Sequence, residues 1–307
     1  MKKISETIVF FGSGPVAARS LELLAKNFTI ETVITKPRPP HHKGDVPVLT
    51  VVEKLNIPLL TSSNKQELNE LIKNCMIKSR IAILIDFGII VSREVIDFFP
   101  LGIVNSHFSL LPLWRGADPI TFAILNGDSK TGVSLMMIDE GMDTGKILTQ
   151  KTYQLPKDIT TPELTNNLIN LSAELLYDFV PRYISGEIKP HSQPHPDRAT
   201  YSRKLSKADS LIDWSKPASQ IEREIRAFIG WPGSKTILFD KEVTITSANE
   251  IPDTPPDSEP GDITVSKETS ELSVTTSNGS ILVNKLKPAG KREMTIKEFI
   301  VGYGKIK

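Results

Sequence analysis

The sequence predicts an α/β protein in two parts: an open, mostly parallel sheet with helices on both faces, followed by a small barrel of short strands. Three observations carry this. Apolar strand-forming runs alternate with helix-patterned stretches through the first part of the chain. A proline-rich break, Lys-Pro-His-Ser-Gln-Pro-His-Pro-Asp-Arg, follows at Lys189 to Arg198. The remaining stretch of about a hundred residues holds about five short strand-like runs separated by turn residues. The expected division is a domain at 1–188, a linker at 189–203 and a second domain at 204–307. A chain of 307 residues is long for one domain and sufficient for two cores.

Thr7-Ile8-Val9-Phe10-Phe11 is an apolar strand ended by Gly12-Ser13-Gly14-Pro15, and Val16 to Lys26 follows with helical spacing at Ala17, Leu21 and Leu24. Glycines at this spacing also occur in dinucleotide-binding turns. Here Ala17 fills the third glycine position and no acidic residue closes the second strand, Ile30 to Thr35, so only a tight turn into a helix is expected. The alternation continues with a helix near Val48 to Leu55, a strand at Pro58 to Leu60, a helix near Lys65 to Asn74 and the buried-type strand Ile81 to Ile85. Continuous apolar strands separated by helices imply a parallel sheet covered on both faces. Between Lys36 and Pro47 the chain is too proline-rich for a regular element. Its adjacent His41 and His42 project differently and lack an acidic partner at ligand spacing, so a solvated basic loop is expected there.

Thr160-Thr161-Pro162-Glu163 is a capping box, and Leu164, Leu168, Leu171, Leu175 and Phe179 form one apolar helix face after it. His191 and His195 read as linker polars. Beyond the break, a helix near Ala218 to Phe228 turns Ile221, Ile225 and Phe228 inward, and Trp231-Pro232-Gly233 stops it. Strand-like runs follow at Thr236 to Phe239, Val243 to Ser247, Asp262 to Val265, Leu272 to Thr275 and Ile281 to Leu286. Glu250 to Gly261 reads as a surface loop.

Lys plus Arg total 37 against 36 Asp plus Glu, so attraction for a nucleic acid has to come from local distribution of charge. That distribution is uneven: Glu250, Asp253, Asp257, Glu259 and Asp262 share a loop without a cation. Lys285, Lys287, Lys291, Arg292, Lys297, Lys305 and Lys307 outnumber Glu293 and Glu298 near the end. Cys75 is the sole cysteine, which excludes an intramolecular disulfide and a cysteine-based zinc cluster. No stretch approaches the ~20 apolar residues of a membrane span, and Met1 to Glu6 lacks the apolar core of a signal peptide, so a cytoplasmic protein is expected.

The chemistry concentrates in Val104 to Gly145. Asn105-Ser106-His107 closes the apolar run Leu101 to Val104, and strand residues two apart face the same way, so Asn105 and His107 point together. They sit past the carboxyl end of a central strand, where open α/β sheets bind ligands, and Asp86-Phe87-Gly88-Ile89-Ile90 ends the preceding strand at the same edge. Glycines flanking Met142-Asp143-Thr144 allow a tight loop to bring the Asp143 carboxylate against the imidazole. An amide, an imidazole and a carboxylate suit acyl-like transfer to an amine. Asn105 can donate to an oxygen that gains negative charge, His107 can donate to it as well or shuttle a proton, and Asp143 orients the ring and favours its charged form. Singly, these residues serve equally as turn, capping and loop-tip residues.

Taken together, Asn105-Ser106-His107-Phe108-Ser109-Leu110-Leu111-Pro112, Trp114-Arg115-Gly116 and Met142-Asp143-Thr144-Gly145 resemble the folate-dependent formyltransferases. The resemblance implies a Rossmann-like catalytic domain with Asn105, His107 and Asp143 as the catalytic trio. It also implies a folate site formed by Phe87, Gly88, Ile89, Ile90, Ser109, Leu110, Leu111 and Pro112. Lys204-Leu205-Ser206-Lys207, Ile212 to Pro217, Trp231-Pro232-Gly233 and Leu286-Lys287-Pro288-Ala289-Gly290-Lys291 resemble the carboxyl-terminal, OB-like barrel of the branch acting on initiator methionyl-tRNA. This implies 10-formyltetrahydrofolate as donor, the amino group of methionine on initiator methionyl-tRNA as acceptor, no metal, and a monomer. It implies tRNA contact at Arg38, Lys43, Lys287, Lys291 and Arg292, although the basic loop at Lys36 to Pro47 is shorter than in the family. The other readings are a formyltransferase acting on an amino-sugar nucleotide, a non-catalytic RNA-binding module on the same scaffold, and a folate hydrolase releasing formate.

Overall fold

The structure is a computed structural model that describes residues 6–41, 44–253, 255, 257–266 and 268–304. The chain divides into two compact units, Met1–Pro119 with Lys130–Gln154 and Thr165–Ser202, and Ile120–Ser129 with Leu155–Leu164 and Arg203–Lys307. In chain order the elements begin β1 (Thr7–Phe11), α1 (Pro15–Leu24), β2 (Thr29–Thr35), α2 (Pro47–Leu55), β3 (Leu59–Thr61) and α3 (Lys65–Asn74). Next come β4 (Ala82–Leu84), α4 (Arg93–Phe98), β5 (Ile103–His107), β6 (Arg115–Gly116), α5 (Pro119–Asn126), β7 (Lys130–Met137), β8 (Ile147–Gln154), α6 (Thr161–Ile184) and β9 (Tyr201–Ser202).

The first unit is a Rossmann-like domain whose main sheet has the order β3-β2-β1-β4-β5-β7-β8. Strands β1 to β5 pair in parallel, and β7 and β8 add antiparallel at β5. β1 is buried on both faces after its first residue, as a strand sandwiched between helices has to be. Phe11 anchors the core on one side, with its ring set edge-on to Phe87 at 5.3 Å and to Phe99 at 6.0 Å. β7 and β8 are additional to the expected strands. β7 is buried along most of its length, so no alternation of polar and apolar residues marks it in the sequence.

In α6, Leu164, Leu168 and Leu175 are buried as expected. Ser172, Leu176 and Val180 are buried as well, whereas Leu171 and Phe179 lie at the edge of that face. The Thr160 backbone and hydroxyl both donate to the Glu163 carboxylate at the start of this helix, at 2.9 and 2.7 Å. The proline-rich stretch before β9 is tied down. His191 exchanges backbone hydrogen bonds of 2.8 and 2.9 Å with Ile147, and β9 pairs in parallel with β6.

The second unit carries α7 (Ala218–Ala227), β10 (Ser234–Leu238), β11 (Lys241–Ile251), β12 (Ile263–Val265), β13 (Leu272–Thr275), β14 (Ser280–Pro288), β15 (Met294–Thr295) and α8 (Ile296–Tyr303). Its antiparallel half-barrel has the order β10-β11-β14-β13-β12, with β15 on β14. Ile221 and Ile225 of α7 and Phe299 of α8 fill the core with Val243, Leu272, Val283 and Leu286. Glu250 and Ile251 belong to β11 and not to the expected loop, because β14 pairs them with Ile281 and Ser280. Among the described residues, no helix is long and apolar enough to cross a membrane.

Candidate active site

Asn105 and His107 lie on β5 between parallel β4 and antiparallel β7, opposite Leu84 and Met136 for Asn105 and opposite Ser134 for His107. Both are buried, at 7% and 6% exposure. No described residue forms a hydrogen bond with the Asn105 side chain, so the amide of this largely buried residue is left with its donors available. The His107 ring is held at Nε2, 2.8 Å from the Trp114 carbonyl oxygen. A carbonyl only accepts, so the Nε2 proton points at Trp114 and Nδ1 is left on the other side of the ring.

Asp143 is on that other side, with Oδ1 3.7 Å from His107 Nδ1. The β7–β8 loop begins beside Ile103, at the far end of β5, and returns to bring Asp143 to His107. Three features shape the return. Asp139 Oδ1 accepts from the Gly141 N–H at 3.1 Å and from the Thr144 hydroxyl at 2.8 Å. Asp143 adopts φ 53°, a left-handed conformation that Asp tolerates better than most residues. Gly145 passes so close to the Met137 carbonyl that a Cβ would collide with it. The second carboxylate oxygen of Asp143 accepts from the Gly116 N–H at 2.7 Å.

The Ser109 to Pro112 segment is fixed from beneath. The Ser134 hydroxyl accepts from Leu111 N–H at 3.0 Å and from Gln150 Nε2 at 2.8 Å, and donates to the Ser109 carbonyl at 2.6 Å. Gln150 Nε2 also donates to the Leu111 carbonyl at 2.9 Å. Ser109 turns its own hydroxyl onto Leu113 O at 2.5 Å. Side chains of Ser109, Leu111 and Pro112 are therefore buried, and Leu110 alone of the four is half-exposed. In the neighbouring segment, Phe87 belongs to the core, Gly88 and Ile90 are exposed and Ile89 is half-buried. The solvent-facing surface of these two segments comes from Gly88, Ile89, Ile90 and Leu110.

Asp86, which precedes Phe87, has φ 49°. Its backbone carbonyl accepts from the Ser13 N–H at 2.9 Å, and the Ser13 hydroxyl donates to Phe87 O at 3.0 Å. The Asp86 carboxyl reaches solvent, yet protein crowded around it displaces bulk water. This desolvation pushes its pKa up to about 6, against the opposing pull of Lys36 and with the help of Asp118.

Arg38 is exposed and folds its guanidinium onto Gly44 O at 2.8 Å, while Lys43 lies outside the described residues. Lys287 points outward from β14, and Lys291 and Arg292 are exposed in the turn to β15. A separate groove of the second unit, about 740 Å³, holds none of the expected site residues. Its lining mixes Lys157, Arg223 and Arg226 with Asp128, Asp158, Glu222 and Glu250, so it offers no single-sign field. The convergence of Asn105, His107 and Asp143, and not this groove, marks the candidate site. Among the described residues, no group of three or more His, Cys, Asp or Glu could hold a metal ion.

Sequence reasoning did not single out Trp114 O, Ser134, Gln150, Asp86 or Gln193. Trp114 acts through a backbone carbonyl, and the side chains of Ser134, Gln150, Asp86 and Gln193 find their partners only through pairing of distant segments, which spacing does not reveal.

Comparison with known proteins follows this geometry. The family described as formyl transferase matches residues 7–180, and formyl transferase, C-terminal domain, matches 204–304. The methionyl-tRNA formyltransferase of Roseiflexus castenholzii is 37% identical over 297 residues, covering 95% of this chain and 94% of that protein. That of Clostridium acetobutylicum is 34% identical over 300 residues, covering 96% of each. Among solved structures, an N-formyltransferase from Helicobacter canadensis with folinic acid and dTDP-3-aminofucose superposes with a TM-score of 0.67 at 21% identity, over 92% of this chain and 99% of that one. HypX from Aquifex aeolicus with tetrahydrofolic acid gives 0.65 at 15% identity over 97% of this chain and 47% of that one. These two share the fold. With both formyl transferase models matched and the curated relatives similar over nearly their whole length, the chain belongs to the methionyl-tRNA formyltransferase family.

Proposed function

We propose that this protein transfers the formyl group of 10-formyltetrahydrofolate to the amino group of methionine on initiator methionyl-tRNA, for translation initiation. The observation that carries the reading is the buried, unpartnered Asn105 amide beside His107 at a strand end. Bond formation between the amine nitrogen and the formyl carbon puts negative charge on the formyl oxygen, and Asn105 donates to it. His107 passes the proton lost by the amine toward the folate nitrogen from which the formyl carbon parts. Asp143 stabilises positive charge on the ring during that transfer. Held in one rigid geometry, the three groups avoid reorganisation as the charge develops.

Folate is assigned to the surface formed by Phe87, Gly88, Ile89 and Ile90 with Ser109, Leu110, Leu111 and Pro112. Exposed backbone at Gly88 and the half-exposed Leu110 supply the polar edge and apolar wall that a flat pterin needs. The buried members shape that wall without touching the ligand through their side chains. We assign tRNA contact to Arg38, Lys43, Lys287, Lys291 and Arg292, catalysis to 1–188, and tRNA binding to 204–307 joined by 189–203. A monomer in the cytoplasm completes the reading.

The test offers the protein formyl-folate with either charged initiator tRNA or an amino-sugar nucleotide. A second reading, formylation of an amino sugar, draws on the similarity of fold to the Helicobacter canadensis N-formyltransferase. Formylmethionyl-tRNA is the expected product. Turnover with the sugar nucleotide alone would replace the proposal, and release of formate without an acceptor would make the protein a hydrolase.

A further inference from the structure

The segment before β9 reads as a linker, yet Gln193 within it is 8% exposed and all its side-chain partners lie at the site. Gln193 Nε2 donates to the Asp143 carbonyl at 2.7 Å and to the Gly145 carbonyl at 3.0 Å. Its Oε1 accepts from Arg115 Nη2 at 2.7 Å. One amide thereby bridges the backbone on either side of Thr144 and fixes the left-handed turn that aims the Asp143 carboxylate. Arg115 is 7% exposed, reaches the Tyr201 hydroxyl at 3.4 Å through Nη1, and keeps a buried Nε without a partner.

Arg115 also links this clamp to the other two members of the site. Its neighbour Trp114 supplies the carbonyl that holds His107 Nε2, and its neighbour Gly116 supplies the N–H that holds Asp143 Oδ2. The strand pair β6–β9 locks Trp114 to Gly116 in place. Trp114 N–H donates to the Thr200 hydroxyl at 2.9 Å and Arg115 N–H to the Thr200 carbonyl at 2.9 Å. Gly116 lies so close to the Ser202 carbonyl that a Cβ would collide with it. His107 and Asp143 are therefore set by one connected hydrogen-bonded unit whose outer half comes from 191–202.

We infer that Gln193 is a positioning residue for formyl transfer, acting with Arg115 to hold the Asp143 carboxylate at the His107 ring. The inference rests on the proposed roles of His107 and Asp143. It assigns to 191–202 the work of an active-site strap, in addition to joining two parts of the chain. Leaving either Gln193 donation unmade lets the turn relax. A shift of about 1 Å in a group at the reacting centre lowers a rate by up to about a hundredfold.

The test compares Gln193→Leu, Gln193→Glu, Asp143→Asn and the two double variants in the full chain, with kcat and KM for both substrates and a thermal melt for each. Gln193→Glu keeps the contact with Arg115 while replacing the donations to both carbonyls by repulsion. The expected result is a roughly tenfold to hundredfold fall in kcat for each Gln193 variant, with KM for tRNA and folate unchanged. In the Asp143→Asn background the same substitutions should have almost no further effect, because they act through that carboxylate. Gln193→Glu that melts as the parent does and turns over at the parental rate overturns the inference. So does a kcat effect that multiplies fully with that of Asp143→Asn. If Gln193→Leu does not fold, Gln193→Glu decides alone. Unimpaired turnover in Asp143→Asn would instead refute the catalytic reading on which the inference stands, and the two failures are distinguishable.

Discussion

Replacing Asn105 by alanine separates catalysis from stability, and the structure fixes the size of each effect. The residue is 7% exposed and its amide bonds to no described group, so truncation removes no hydrogen bond of the native state. Only a small void is left behind, and the net change in unfolding free energy should stay within about 1 kcal/mol. On the proposed mechanism the same amide meets a developing oxyanion in the transition state. Loss of one such donor lowers kcat by about a hundred- to a thousandfold, or roughly 3 kcal/mol. Single-turnover formylation of charged initiator tRNA measures the rate, and urea denaturation measures the stability. Asn105→Asp, which keeps the shape but trades the donor for an acceptor, should be as impaired as alanine. The reasoning fails if Asn105→Ala folds normally and turns over within threefold of the parent. It fails too if stability falls by more than ~3 kcal/mol, since that would mean the amide is bonded in the native state.

Ser134→Ala should behave in the opposite way. It strands the buried Leu111 N–H and Ser109 carbonyl and should cost about 2–4 kcal/mol of stability by urea denaturation, while a loss below about 0.5 would contradict the bonding described. The Asp86 carboxyl, pushed up to about 6, binds its proton more tightly in the native than in the unfolded chain. Its contribution is therefore present below the unfolded value near ~4 and is lost as pH rises through about 6. Asp86→Asn should raise the melting temperature at pH 8 and leave it nearly unchanged at pH 4, and an equal effect at both would reject the assignment. Substituting Lys287, Lys291 and Arg292 together should weaken tRNA binding and lower the slope of log affinity against log salt by roughly one per lost phosphate contact, with folate binding unaffected. An unaltered affinity and slope would return these residues to an ordinary solvated face.

Local periodicity determined much of this protein before any tertiary contact was known. The run Thr7 to Phe11, its glycine turn and the helix after it define a strand–turn–helix unit with no help from elsewhere. The capping pair Thr160 and Glu163 announces α6, and the two-residue period of a strand sets Asn105 and His107 facing the same way on β5. The motifs in Val104 to Gly145, through their family resemblance, nominated Asn105, His107 and Asp143 as the candidate reacting groups. What periodicity cannot convey is register across long separations. Asp143 comes to His107 because β7 and β8 pair beside β5; β7 is too buried to show alternation, and β8 is buried only at Ile147 and Leu148. The ring's hydrogen bond goes to a main-chain carbonyl, which any residue at 114 would carry. The Ser109 hydroxyl donates to Leu113 O, a main-chain partner that spacing does not announce. Gln193 lies 50 residues from Asp143 and 78 from Arg115 in a stretch without periodicity, and folding alone makes it their common partner. Residue types and their spacing nominate the candidate groups. Pairing between distant segments sets where each points, because hydrogen bonds of that range form only after the sheet has chosen its register.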